Sequence, residues 1–89
     1  MTNKEKELLY SLFKRMRSMI CYNIKAEDLI LINKNILLVL DILDENEEID
    51  IELISYLRKI QELINNFNNY GNIVKIETNI LLSLDLLDK

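Results

Sequence analysis

Two groups of like charge are the residues in this chain best placed to do chemistry. Lys14, Arg15 and Arg17 stand close together, and Arg58 and Lys59 fall 44 positions after Lys14 and Arg15. Cations clustered in this way neutralise phosphates, so a twinned nucleic-acid site is one reading of them. The second group is acidic. Seven carboxylates lie from Asp41 to Glu52: Asp41, Asp44, Glu45, Glu47, Glu48, Asp50 and Glu52. An acidic surface can meet a basic partner, for instance by imitating nucleic acid. A solvated loop with charged helix ends explains the same residues without a partner. Asp50 and Glu52 suit a helix start through the helix dipole. A calcium loop is not expected, because the segment lacks a central glycine and alternating ligand spacing.

The net charge of −4 hides an asymmetry. Residues 1–26 carry six Lys/Arg and two Glu, whereas residues 27–89 carry five Lys/Arg and thirteen Asp/Glu. That acidic excess opposes general affinity for nucleic acid, which depends on phosphate neutralisation.

Catalytic groups are scarce. Histidine is absent, which removes the usual general base, metal ligand and pH switch. No Cys/His zinc pattern and no Gly-rich phosphate loop can be written. Carboxylates alone could serve as acid and base, but no pattern places two of them in an apolar pocket that would shift their titration. No enzymatic activity, metal or cofactor is expected. Cys21 is the lone cysteine and has no partner within the chain. Its neighbours Ile20 and Tyr22 suggest a buried small hydrophobe.

The elements that must carry these residues are legible from a repeat. Asn35–Asp44 aligns with Asn79–Asp88 at an offset of 44, with eight of ten residues identical. The same offset aligns Leu9–Ile20 with Leu53–Ile64 without a gap. A repeat of this period indicates a duplicated supersecondary unit. Repeat 1 covers about residues 1–45 and repeat 2 about 46–89 of a single domain. The absence of proline, a single glycine and an apolar fraction of 49% point to a few long helices.

Four helices are predicted. Helix 1 runs from about Asn3 to Tyr22 and opens on a capping box of Thr2 and Glu5. Its buried stripe is Leu9, Phe13, Met16 and Ile20, widened by Leu12 and Met19. Helix 3 repeats that design with Leu53, Leu57, Ile60, Ile64 and Phe67. Asp50 is its expected N-cap, and it is expected to close within Asn65–Gly71, where asparagine and glycine tolerate the left-handed conformation. Helix 2 spans about Glu27–Asp44, with Leu29, Ile32, Ile36, Val39 and Leu43 inward. Helix 4 spans about Asn72–Asp88, with Ile73, Ile76, Ile80, Ser83 and Leu87 inward. Asp28 and Asn72, 44 apart, are the expected caps. The predicted core adds Leu84. Links are expected near Asn23–Ala26, Glu45–Ile49 and Asn69–Asn72.

Each half is then an αα-hairpin that cannot bury its own apolar face. Together they make an all-α, antiparallel four-helix bundle of two tandem hairpins with approximate internal two-fold symmetry. The alternative is side-by-side stacking of two solenoid-type repeats, whose period range includes 44. The two differ in a testable way. A bundle sets helices 1 and 3 diagonally and points their basic pairs apart, whereas stacking joins the pairs.

Helices 2 and 4 are more apolar than a bundle with a wet outer side requires. Within Leu29–Leu43, eleven of fifteen residues are apolar. At 100° per residue Leu38 falls in the polar arc beside Lys34 and Asp41, with Leu31 nearby and Ile30 and Leu37 on the other flank. In helix 4, Leu82 falls among Lys75, Thr78 and Asp85. The plain reading is a wide core with a few exposed leucines. The sharper one is an apolar face for self-association or a partner, in which Leu38 and Leu82 could form one patch.

The first seven residues contain no apolar signal core. The longest apolar run, Ile36–Leu40, is far short of the roughly 18 residues of a membrane span. A cytoplasmic location without membrane contact is expected. The expected function is a non-catalytic protein–protein interaction module: a homodimer, or a small inhibitor or adaptor. Leu31, Leu38, Leu82, Asp44, Glu45, Glu47 and Glu48 are its candidate partner-binding residues. Small acidic helical proteins of this size occur among mobile-element proteins that block host machinery and among immunity proteins of bacteriocin systems. That is an analogy of size and class, carried by no motif. The alternative is a nucleic-acid-binding bundle using Lys14, Arg15, Arg17, Arg58 and Lys59.

Overall fold

The structure, a computed structural model, describes residues 2–21, 23–47, 50–67 and 70–88, with the side chain of Tyr70 excluded. Tyr22, Glu48, Ile49, Asn68 and Asn69 therefore lie outside the described residues, including the predicted end of helix 1 and one candidate partner residue. Four helices run in order: α1 (Asn3–Ser18), α2 (Ala26–Glu45), α3 (Ile51–Asn65) and α4 (Tyr70–Leu87). No strand occurs among the described residues.

The helix contacts are those of a bundle. α1 packs on α2 and α4, and α3 packs on α2 and α4. Neither α1 with α3 nor α2 with α4 makes comparable contact among the described residues, so these pairs are diagonal. Side-by-side stacking, with its joined basic patch, is thereby excluded. Neighbouring helices meet at opposite ends. The Asn46 amide after α2 donates to the Glu5 carboxylate at the start of α1. Tyr10 of α1 donates its hydroxyl hydrogen to Asp88 after α4, at 3.3 Å. Gln61 of α3 donates to Asn33 of α2, also at 3.3 Å.

The core follows the predicted stripes. Leu9, Phe13, Met16, Ile32, Ile36, Val39, Leu57, Ile60, Ile76 and Ile80 are fully buried, and Leu43, Leu53 and Leu84 nearly so. Leu12 and Ile73 join them. Ser83 is also buried, its hydroxyl donating to the Asn79 carbonyl one turn back at 2.8 Å. Asn35 and Asn79, at matching positions 44 apart, are buried polar residues. Each satisfies its amide in the same way, on Leu31 and Lys75 carbonyls at 3.0 and 2.8 Å. Internal satisfaction is what makes these groups tolerable in a core, since an orphaned amide would cost about 1–3 kcal/mol.

Four expectations need correction. Ile20, Leu29, Ile64, Phe67 and Leu87 are half-buried rather than core, because each lies in the terminal turn of a helix or beyond its end. α1 stops at Ser18, which leaves Cys21 exposed in the link instead of buried. Asp28 is not a cap; it occupies the first turn of α2, and its carboxylate accepts from the Lys25 backbone N–H at 3.1 Å. Asn72 is not a cap either. α4 begins at Tyr70, so Gly71 lies within the helix, and Asn72 reaches across to the end of α3. Its amide donates to the Leu63 and Asn66 carbonyls at 3.4 and 3.1 Å, two of the acceptors a helix C-terminus leaves unpaired.

Other signals act as expected. Thr2 and Glu5 form the capping box, with the Thr2 backbone and hydroxyl donating to the Glu5 carboxylate at 3.0 and 2.8 Å. Asp50 caps α3 by accepting from the Leu53 N–H at 3.1 Å. Glu47 has φ 53°, a left-handed residue that ends α2 where glycine is more usual.

Candidate interaction surface

The outer side of α2 is built by what α1 and α3 leave uncovered. Ile32, Ile36, Val39 and Leu43 point inward, and the residues half a turn away face solvent. Four of these are large and apolar: Ile30 is 57% exposed, Leu31 46%, Leu37 47% and Leu38 51%. They fall in two adjacent pairs seven residues apart, and two helical turns bring both pairs to one side. Exposed Lys34 lies between the pairs, and exposed Asp41 beyond the second. Asp44 and Glu45 continue the face as its exposed acidic end, with exposed Glu47 just beyond.

Leu31 and Leu38 are thus brought together, joined by Ile30 and Leu37. Leu82 is not. It is 39% exposed on α4, diagonally across the bundle, so it cannot complete a patch with Leu38. The outer side of α4 is also weaker. Val74 stands at the position matching Ile30 and Lys75 at that matching Leu31, while Leu81 is half-buried. Ile30 and Leu37 form one row of this side of α2 and Leu31 and Leu38 a second, about 100° apart around the helix, with Lys34 and Asp41 between the rows.

The basic residues form no single site. Lys14, Arg15 and Arg17 are exposed on α1, with the Lys14 ammonium 4.7 Å from the centre of the Tyr10 ring. Arg58 and Lys59 are exposed on the diagonal helix α3, where Arg58 donates to Gln61 at 3.0 Å. Lys59 borders an open groove of about 550 Å³ between α3 and α4, together with Glu62, Asn66, Asn72, Lys75 and Asn79. The groove mixes both signs of charge along its walls.

Among the described residues two groups are displaced from their ordinary titration, and both displacements have structural causes at the surface. Glu5 is lowered, first by the Thr2 backbone N–H, then by the Thr2 hydroxyl and the Asn46 amide, all of which favour the carboxylate. Tyr10 is raised, first by its hydrogen bond to Asp88 and then by burial and the charges of Asp88 and Asp85, which disfavour the phenolate. Among the described residues no three His, Cys, Asp or Glu side chains gather as a metal-binding group, and no helix is long and apolar enough to cross a membrane. No family model, curated protein or solved structure matches this chain.

Proposed function

We propose that this chain is a non-catalytic protein–protein interaction module built by duplication of an αα-hairpin, serving as a homodimer or as a small inhibitor or adaptor in the cytoplasm. One observation carries the reading. Ile30, Leu31, Leu37 and Leu38, each about half exposed, share the outer side of α2 in two rows with Lys34 and Asp41 between them. Scattered single leucines are ordinary on a protein surface, whereas four large exposed apolar groups gathered on one side of a helix mark a contact. The absence of histidine supports the non-catalytic part, as does the structural origin of both displaced titrations. The duplication is supported by the matched burial of Leu9 with Leu53, Met16 with Ile60 and Ile36 with Ile80.

The test is a Leu31→Glu, Leu38→Glu double variant. Helicity and unfolding midpoint are expected to stay near wild type, since surface changes usually remain within about 0.5 kcal/mol. Self-association and capture of partners from the native host are expected to be lost, because the contact would bury two carboxylates among apolar groups. Circular dichroism, light scattering and affinity capture read the outcome. A folded double variant that associates and captures as wild type does would defeat the reading.

A further inference from the structure

We propose that the outer face of α2 binds a second copy of this chain, with the two α2 helices antiparallel and a two-fold axis between Leu37 and Leu38. The proposal rests on the reading of α2 as an interaction face and names its occupant. The argument is the order of residues along that face: Ile30 and Leu31, then Lys34, then Leu37 and Leu38, then Asp41. An isologous contact places the same patch on itself, so the patch must complement its own reversal. This one does. With the axis between Leu37 and Leu38, Leu37 of each copy meets Leu38 of the other at the centre. Lys34 of each copy then faces Asp41 of the other, giving two opposite-charge pairs that flank an apolar middle.

Other registers do worse. A parallel pairing sets Lys34 against Lys34 and Asp41 against Asp41. An antiparallel pairing centred on Lys34 brings the two lysines together. Centring on Ile30 and Leu31 pairs Lys34 with Glu27, but only residues 26–35 of α2 then overlap. The axis between Leu37 and Leu38 overlaps residues 30–45, most of the 20-residue helix. Its ends oppose Ile30 and Leu31 to Glu45 and Asp44, which keeps the contact from being tight. Flanking charges of this kind set register and orientation more than affinity.

α4 explains why the assembly closes at two. At the positions matching Lys34 and Asp41 it carries Thr78 and Asp85. Its exposed cation stands instead at Lys75, in the place of apolar Leu31, and among the described residues its outer face has fewer exposed apolar groups. One self-complementary face per copy gives a dimer; two would give a chain.

Sedimentation equilibrium from micromolar to millimolar protein tests this, with circular dichroism to verify folding. The wild type is expected to be a monomer–dimer mixture in that range, and Leu37→Glu with Leu38→Glu a folded monomer. Lys34→Asp or Asp41→Lys alone turns both attractive pairs repulsive and is expected to weaken dimerisation by about tenfold. The combined Lys34→Asp, Asp41→Lys variant is expected to recover the wild-type constant. Mixing the two single variants is expected to give a heterodimer at low salt that fades as salt screens the pairs. Leu82→Glu is expected to leave dimerisation unchanged. A wild type monomeric throughout, or a combined variant as weak as its parents, overturns the proposal. If the wild type is monomeric while Leu31→Glu with Leu38→Glu still loses partner capture, the interaction face stands and only the second copy is excluded as its occupant.

Discussion

The two hairpins, α1–α2 and α3–α4, bury matching side chains but are fastened differently. Their cores agree in part: Leu9 with Leu53, Ile32 with Ile76, Asn35 with Asn79 and Ile36 with Ile80 are all buried, whereas buried Leu12 and Leu43 match half-buried Tyr56 and Leu87. Their second helices start at matching places, Ala26 and Tyr70, 44 apart. The links differ. α1 ends at Ser18 and leaves residues 19–25 before α2, whereas α3 runs to Asn65 and leaves only residues 66–69 before α4. α3 and α4 make the most extensive helix contact in the molecule. The polar residues 44 apart at the two hinges also act differently. Asp28 is an acceptor and turns back to the N–H of Lys25 in its own first turn. Asn72 is a donor and crosses to the Leu63 and Asn66 carbonyls. The acceptor serves its own helix, and the donor ties two helices together.

Core truncation has the largest expected effect and tests whether the agreement is energetic as well as geometric. Ile36→Ala and Ile80→Ala should each cost about 2–5 kcal/mol, the transfer term plus the cavity left behind. Urea unfolding followed by circular dichroism measures both. Similar costs would mean that one shared core holds the two hairpins equally. A much smaller cost for Ile36→Ala would mean that the less closely fastened hairpin collapses into its cavity, which sharpens the difference between them.

Hinge substitutions come next. Asn72→Ala should cost about 1 kcal/mol by leaving two α3 carbonyls to solvent, and Asp28→Ala about 0.5–1 kcal/mol as a lost first-turn acceptor. The magnitudes are close, so the location of the effect is the better measurement. Hydrogen exchange in Asn72→Ala should rise in the last turn of α3 as well as the first of α4. In Asp28→Ala it should rise only at the start of α2. Faster exchange at the end of α1 in Asp28→Ala would break the comparison.

The apolar stripes were legible because helical periodicity is a property of one segment at a time. Leu9, Phe13, Met16, Ile36 and Ile80 could be placed inward with no knowledge of their neighbours, and so could the capping box of Thr2 and Glu5. Helix ends were harder, since they depend on competition between alternatives of similar energy. Asp28 and Asn72 each read equally well as a cap or as a first-turn residue, and Gly71 as a terminator or as a helical residue. Cys21 was misjudged for the same reason, because its burial required α1 to continue to Tyr22. The exposure of Leu31 and Leu38 followed from their angular place beside Lys34 and Asp41. The separation of Leu82 from that face did not, because it depends on α2 and α4 lying diagonally, which is a property of the assembled bundle.

The smallest effect concerns pH, and it too divides the hairpins. α1 is tied to the rest of the bundle by titratable groups, Glu5 to Asn46 and Tyr10 to Asp88, while the α3–α4 hinge is tied by the amide of Asn72, which does not titrate. Glu5 is depressed in the folded state, so its contribution is present above its unfolded value and is lost as pH falls through the folded one. Tyr10 is raised, so its contribution is complete below its unfolded value near 10 and is lost as pH rises through the folded one. Both groups lie at the surface, where solvent screens such ties, so global stability should scarcely register them. Local exchange should. Amides in the first turns of α1 are expected to exchange faster relative to those of α3 once Glu5 is protonated or Tyr10 ionised. Titration followed by NMR resolves Tyr10 from the other three tyrosines: Asp88→Ala should bring the Tyr10 transition back down toward its ordinary value, since the hydrogen bond to Asp88 is the largest cause of its rise. A Tyr10 transition unmoved by Asp88→Ala would show that burial and Asp85 hold it up instead, and that α1 is fastened to α4 by packing alone.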